Sequence, residues 1–313
     1  MTDPGSGGEA VPLRDAATVL VLRDGHEGLE VFMLRRNLNS DFVGGAYVFP
    51  GGAVDLEDRH QNLEPVCEGR TDPDASQRLG IDAGGLAFWV AAVRESFEEA
   101  GILLAFGADG TIVDLDDERG AARWIDHRQA VDTRRRRLVE VCIEERLRLA
   151  VGDMHYFGHW VTPEGAPRRY DTRFFVTAAP ERQTPLHDDH EVIANEWIRP
   201  VEALRRHEAQ QMTLLPPTVS SLRAMARFDT ASDALAAASG ITHVPRILPR
   251  VIAVDGGMRI VLPGDPGYDD EPGGRRADRP WVDQVAESVH SPADVPPVQS
   301  SAATTGFGPD QDW

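Results

Sequence analysis

The stretch from Leu86 to Gly101 constrains this chain more than any other. From Leu86 through Val93 and on to Phe97 and Ala100, apolar residues return at helical intervals, and Gly101 stands where a helix ends on a left-handed residue. A helix over 86–100 is predicted. On such a helix positions i, i+3 and i+4 share a face, so Glu95, Glu98 and Glu99 converge on one acidic patch. Like charges at this spacing destabilise a helix by roughly 0.2–0.5 kcal/mol per pair. Either the face is a solvated one, or something positive compensates it. Mg2+ or Mn2+, which favour oxygen ligands, would do so.

The length, 313 residues, suits one enzyme core with additions. Residues 1–15 read as a flexible Gly/Pro/polar arm. Residues 16–22 and 29–36 read as strands around a turn at Asp24-Gly25-His26-Glu27-Gly28, and a short strand over 46–49 runs into a loop at Pro50-Gly51-Gly52. Residues 59–85 are polar, rich in Pro, Gly and Asp, and lack sustained periodicity, as an insertion does. A second helical stretch, single or paired, is expected over 119–150, packing through Trp124, Val131, Leu138, Val141, Ile143 and Leu147. The run Arg134-Arg135-Arg136-Arg137 would spread around that helix as solvated surface. Strands follow at 156–161, 169–178 and 192–198, with a polar loop at 181–189. Helices are expected over 201–211 and 218–228, and a hairpin over 251–262 turns at Asp255-Gly256-Gly257, so that 200–262 forms a helical and hairpin extension of a domain spanning 16–262. Residues 263–313, with eight Pro, six Gly and ten acidic residues against three Arg, have the composition of a disordered acidic tail.

Other features exclude function classes. The longest apolar run, Leu86 to Val93, is too short to cross a bilayer, and the N-terminus has neither a basic nor an apolar leader region, so a membrane role and export are not expected. Cys67 and Cys142, without metal-type spacing, suit a reducing cytoplasm. A net charge of −19 argues against nucleic-acid partners, which call for basic surfaces. The sequence contains neither a phosphate-binding loop motif nor a G-x-S-x-G elbow. His155 and His159 have a zinc-like interval only on a helix, and their neighbours read as strand, so they belong to packing. Trp160, Phe174 and Phe175 likewise read as core. A homodimer is compatible with the sequence.

Phe49-Pro50-Gly51-Gly52, an acidic stretch Asp55-Leu56-Glu57-Asp58, and then Arg94-Glu95-Ser96-Phe97-Glu98-Glu99-Ala100-Gly101-Ile102 together resemble the signature of the Nudix hydrolase superfamily. Three departures stand out: Asp58 occupies the first Glu position, thirty-five residues separate it from Arg94 where the pattern has seven, and Ser96 replaces a bulky residue. The run from Arg35 through Asp41 to Gly52, the interrupted box, and His159-Trp160-Val161-Thr162-Pro163 with Arg169 through Phe175 and Leu214-Leu215-Pro216-Pro217-Thr218 resemble the peroxisomal-type coenzyme A diphosphatases over about residues 16–228. The tail, ending Gln311-Asp312-Trp313, carries no peroxisomal address, and Asp41 stands where the better-known coenzyme A pattern has Arg.

The resemblance implies an α/β fold, a Nudix α/β/α sandwich with mixed sheet, an insertion inside the Nudix box and added C-terminal helices. It implies Glu98 and Glu99 as metal ligands, Glu95 as a further ligand or base, the Gly51 carbonyl in the metal shell, and Arg94 orienting a box carboxylate by a two-pronged hydrogen bond. A second candidate base is Glu191, six residues before Trp197, and the choice between Glu95 and Glu191 stays open. Arg35, Arg36 and Arg169 are candidate contacts for substrate phosphates. The implied reaction is metal-dependent hydrolysis of a nucleoside diphosphate derivative, coenzyme A or an acyl-CoA first. Another such diphosphate (ADP-ribose, a nucleotide sugar, a dinucleotide) or a non-catalytic nucleotide sensor is the alternative.

Overall fold

Strict alternation along the first strand decides the layering. In a computed structural model, which describes residues 11–38, 43–59, 63–117, 120–185, 192–254, 257–265 and 267–268, strand β1 (Leu13–Gly25) turns Ala17, Val19 and Val21 to one face and Leu20 and Leu22 to the other. Both sets are fully buried, so the sheet needs a cover on each side. β1 lies between β8 (Arg169–Ala178), to which it is parallel from Leu13↔Arg169 onward, and two antiparallel neighbours on its other edge. Near its end the neighbour is β2 (Gly28–Arg36), and near its start it is β4 (Gly51–Ala53), with Thr18 opposite Gly51 and Ala17 opposite Gly52. Strand β3 (Tyr47–Val48) pairs with β2. The strand β7 (His155–Val161) extends the sheet beyond β8, β9 (Val192–Ile198) pairs with β2, and β10 (Arg246–Ile247) closes the far edge parallel to β7. The result, among the described residues, is an eight-stranded mixed sheet in the order β10-β7-β8-β1-β2-β3, with β4 on β1 and β9 on β2.

One face is covered by α1 (Asp72–Leu79), α2 (Leu86–Ala100), α3 (Ala121–Asp132) and α4 (Leu138–Glu145), with the short ladder of β5 (Ala105–Phe106) and β6 (Arg148–Leu149) beside them. The other face takes α5 (Pro200–Glu208), α6 (Pro216–Met225) and α7 (Ala231–Ser239), followed by the hairpin β11 (Arg250–Val254) and β12 (Gly257–Val261). The α/β/α sandwich implied by the sequence is therefore the fold, and α5 to α7 supply its second helical layer.

Several expectations need correction. The first strand begins at Leu13, inside the expected arm, because pairing to β8 starts there. Gly51 and Gly52, expected in a loop, form β4, since main chain without a side chain can press against β1. The stretch 59–85 holds helix α1, started by a reciprocal cap between Thr71 and Asp74. The stretch 119–150 splits into α3 and α4, and the four arginines lie at the turn between them instead of around a helix. Ile143, expected in the core, is 63% exposed. Helix α7 and strand β10 were not foreseen. The hairpin's turn residues 255 and 256, the tail from 269 onward and the loop residues 186–191 lie outside the described residues.

Candidate active site

Helix α2 carries the candidate chemistry, and both of its ends are fixed by groups from elsewhere in the chain. At the start, the Asp72 carboxylate accepts the N–H groups of Gly84 and Leu86, both at 3.0 Å, and the Ser76 hydroxyl accepts the Gly85 N–H at 2.9 Å. The insertion thus answers donors that an isolated helix leaves open, and places negative charge at the positive end of the helix dipole. Gly85 has to be glycine here, because a Cβ would lie 2.3 Å from the Ser76 main-chain nitrogen. At the other end Gly101 adopts φ 67°, its N–H reaches Phe97 O, and the Ile102 N–H reaches Ser96 O. Arg128 of α3 gives two N–H groups, at 2.9 and 2.8 Å, to the main-chain carbonyl of Glu98.

Across the middle of α2, Arg94 ties the two halves of the motif together. Its Nε and one Nη donate to the two oxygens of Asp58 at 2.9 and 3.0 Å, and the same Nη donates to Ala53 O at 2.8 Å. The other Nη meets Glu95 and Glu98, each at 2.9 Å. Asp58 is 2% exposed and also accepts the Asp55 N–H at 2.9 Å. Burial works against the Arg94 charge, but Glu95, Asp58 and Glu98 together outweigh it and hold the guanidinium protonated more firmly than usual. An Asp in place of Glu is accommodated because Asp58 sits in a 3-10 turn (Leu56–Arg59) close against α2.

Two of the helix carboxylates meet the glycine bend, and the third, Glu98, stays on the Arg94 side. Glu99 accepts the Gly51 N–H at 3.0 Å. A Cβ on Gly52 would fall 2.4 Å from a Glu95 carboxylate oxygen, so the missing side chain is the space that Glu95 fills. Burial, reinforced by Glu95 and opposed by Arg94, pushes the Glu98 carboxyl up to about 8. All these donors are hard oxygens, and the residues fit a divalent cation such as Mg2+ or Mn2+. A separate group, His127, Glu144 and Glu145, also places its ligand atoms within 4.8 Å of one another, but Arg123 and Arg136 already pair with those carboxylates.

The other candidates are scattered. Arg35 lies on β2 opposite Tyr47, its guanidinium 5.8 Å from that ring and its Nε buried without a hydrogen-bond partner. Arg36 is partly buried on the same strand, its main-chain N–H bonded to Ala46 O. Arg169 stands at the start of β8 and donates to Thr162 O, which ties it to the β7–β8 connection. Glu191 lies outside the described residues. His159 packs in the sheet, bonded to Asp171 at 2.7 Å. Sequence reasoning missed Asp72 and Ser76 as helix caps, although Thr71-Asp72-Pro73-Asp74 is a readable helix start. It also missed Arg128 and the contact of Arg134 with Asp55, which no local pattern announces.

An acidic helix locked by a buried arginine to the turn after a glycine bend, inside an α/β/α sandwich, defines a Nudix hydrolase. A crystal structure of a Nudix hydrolase from Alicyclobacillus acidocaldarius superposes with a TM-score of 0.59 at 27% identity, covering 72% of this chain and 96% of that one. Residues 74–225 match the family model of the NUDT19 Nudix domain. The acyl-coenzyme A diphosphatase NUDT19 of Homo sapiens is 30% identical over 276 residues, 77% of this chain and 73% of the relative, and that of Gallus gallus is 30% identical over 280 residues, 78% and 74%. The chain belongs to the NUDT19 family of Nudix hydrolases and is a Nudix diphosphatase. Among the described residues no helix is long and apolar enough to cross a membrane.

Proposed function

We propose that this enzyme hydrolyses the diphosphate of coenzyme A or an acyl-CoA, giving adenosine 3′,5′-bisphosphate and the (acyl-)4′-phosphopantetheine. The observation that carries the reading is the junction of Glu95 and Glu99 with Gly51-Gly52, with Glu98 joined to Glu95 through Arg94, in a chain whose relatives are named for this substrate class. Glu98, Glu99, Glu95 and the Gly51 carbonyl would hold Mg2+ or Mn2+, which supplies charge neutralisation on the diphosphate and a more acidic water. Arg94 fixes the geometry by holding Glu95 and Glu98 against Asp58. Water oxygen bonds to one phosphorus, the bridging oxygen leaves with the other phosphate, and the water proton passes to a base, for which Glu95 and Glu191 are the candidates. Arg35, Arg36 and Arg169 are proposed as contacts for substrate phosphates.

The test is turnover of coenzyme A and acyl-CoAs beside ADP-ribose, nucleotide sugars and dinucleoside polyphosphates, with Mg2+ or Mn2+ and products identified by mass. Preference for coenzyme A substrates is expected, and Glu98→Gln or Glu99→Gln should abolish turnover of a folded protein. Equal or better turnover of another diphosphate defeats the substrate assignment.

A further inference from the structure

Beside the box, on the α3 and α4 side, a cleft opens whose charged walls are Arg94, Glu98, Asp55, Glu57 and Asp58 from the motif and Arg134, Arg136 and Arg137 from the turn between the two helices. Three guanidinium groups bordering the candidate metal ligands are unexpected in a chain of net charge −19. Their partners differ. Arg136 pairs with Glu144 and Arg137 with Glu140, both on α4. Arg134 reaches away from its own helices to Asp55 Oδ2 at 3.0 Å, the same oxygen that lies 3.9 Å from an Nη of Arg94. Its side chain is 70% exposed, and its main chain sits at φ 56°, a left-handed conformation that costs a residue with a Cβ and that aims it out of the helical path.

We propose that the Arg134 turn is a subsite for a phosphate monoester of the substrate, separate from the diphosphate that is cleaved. This rests on the coenzyme A reading, in which the nucleoside carries such a phosphate at its 3′ position. Asp55 holds Arg134 in the free enzyme and competes with that phosphate. A phosphate dianion has more charge and one more oxygen than a carboxylate, so it displaces Asp55 from the guanidinium fork. Of the other carboxylates on the wall, Asp58 and Glu98 are already paired with Arg94. Arg136 and Arg137 lend positive potential at the rim.

The test is calorimetric titration of the magnesium-loaded enzyme with adenosine 3′,5′-bisphosphate and with AMP, which lacks the 3′ group. The wild-type protein should bind the bisphosphate at least tenfold more tightly. Arg134→Gln should bring the two affinities together while leaving AMP binding unchanged. Asp55→Asn, which removes the competitor, should tighten the bisphosphate severalfold, a gain that damage to the fold does not produce. The subsite is refuted if the wild type shows no preference, or if Arg134→Gln keeps it. Turnover separates the two claims: retained preference for the bisphosphate without coenzyme A hydrolysis supports the subsite and defeats the substrate assignment, and coenzyme A hydrolysis without that preference does the reverse.

Discussion

Removing the Asp58 carboxylate tests whether Arg94 joins the motif halves as the geometry requires. In Asp58→Ala the guanidinium, with Arg94 only 7% exposed, loses two charge-assisted hydrogen bonds, and the Asp55 N–H loses its acceptor. Breaking a buried pair from one side costs about 3–5 kcal/mol, because the remaining charge stays buried. Glu95, Glu98 and Ala53 O still hold Arg94, which places the expectation near the lower end, about 3 kcal/mol. For a domain of this size each kcal/mol moves the melting midpoint by about 2–4 °C, so a fall of about 6–12 °C is expected. The assay is thermal unfolding by circular dichroism at pH 7 in the presence of a chelator, which removes any stabilisation by bound metal. Arg205→Ala, which breaks an ion pair on the surface of α5, is the control and should leave the midpoint in place. The reasoning fails if Asp58→Ala behaves like the control. It also fails if Arg94→Ala and Asp58→Ala are additive in the double variant, since residues in direct contact must couple.

Gly52→Ala puts a methyl group where the Glu95 carboxylate now lies, so activity should fall by orders of magnitude in a folded protein; Gly51→Ala, whose Cβ meets main-chain Ala17 O at 2.5 Å, should lower the melting midpoint as well. A stable, fully active Gly52→Ala contradicts the packing described. Asp72→Ala frees the first N–H group of α2, at Leu86, and that of Gly84 in the turn leading into it, and should cost about 1–2 kcal/mol in denaturant unfolding, whereas no loss would mean that the insertion does not hold the helix. Burial holds His159 below its usual 6.5, against the pull of Asp171. The unfolded chain therefore takes up this proton first, and the stability it lends is complete above about pH 6.5 and is lost as pH falls from there toward the folded value. His159→Gln should flatten that part of the stability-against-pH curve, and an unchanged slope would assign it to other groups.

The sequence was most readable where one local pattern determined the outcome. Helix α2 followed from its period and from Gly101, and β1, β2, β7 and β8 from short β-rich runs between turn residues. The approach of Glu95 and Glu99 to Gly51 and Gly52 was legible because the carboxylates share a helix face and glycine admits close contact. Helix α7 was less visible: its alanine-rich sequence, Ala231-Ser232-Asp233-Ala234-Leu235-Ala236-Ala237-Ala238-Ser239, offers little contrast between faces, and packing against the sheet orders it. Helix α1 hid in a polar segment, since its stability comes from capping and not from a broad apolar stripe. The position of the four arginines depends on where α3 ends, and helix boundaries are poorly marked when no glycine or proline stands there.

The bidentate lock between Asp58 and Arg94 also bears on how the intervening chain can vary. With both anchors fixed by that contact, lengthening the connection from seven residues to thirty-five adds only the entropy of a longer closed loop, about 1.4 kcal/mol if the loop were structureless. The chain ordered by α1 recovers part of this through its own contacts. Extra sequence is therefore admitted at this point of the motif with little thermodynamic penalty, provided that the two endpoints still find each other; once there it takes on work of its own, since Asp72 and Ser76 now hold the start of α2 and Leu63, Val66, Ala75 and Leu79 fill the core.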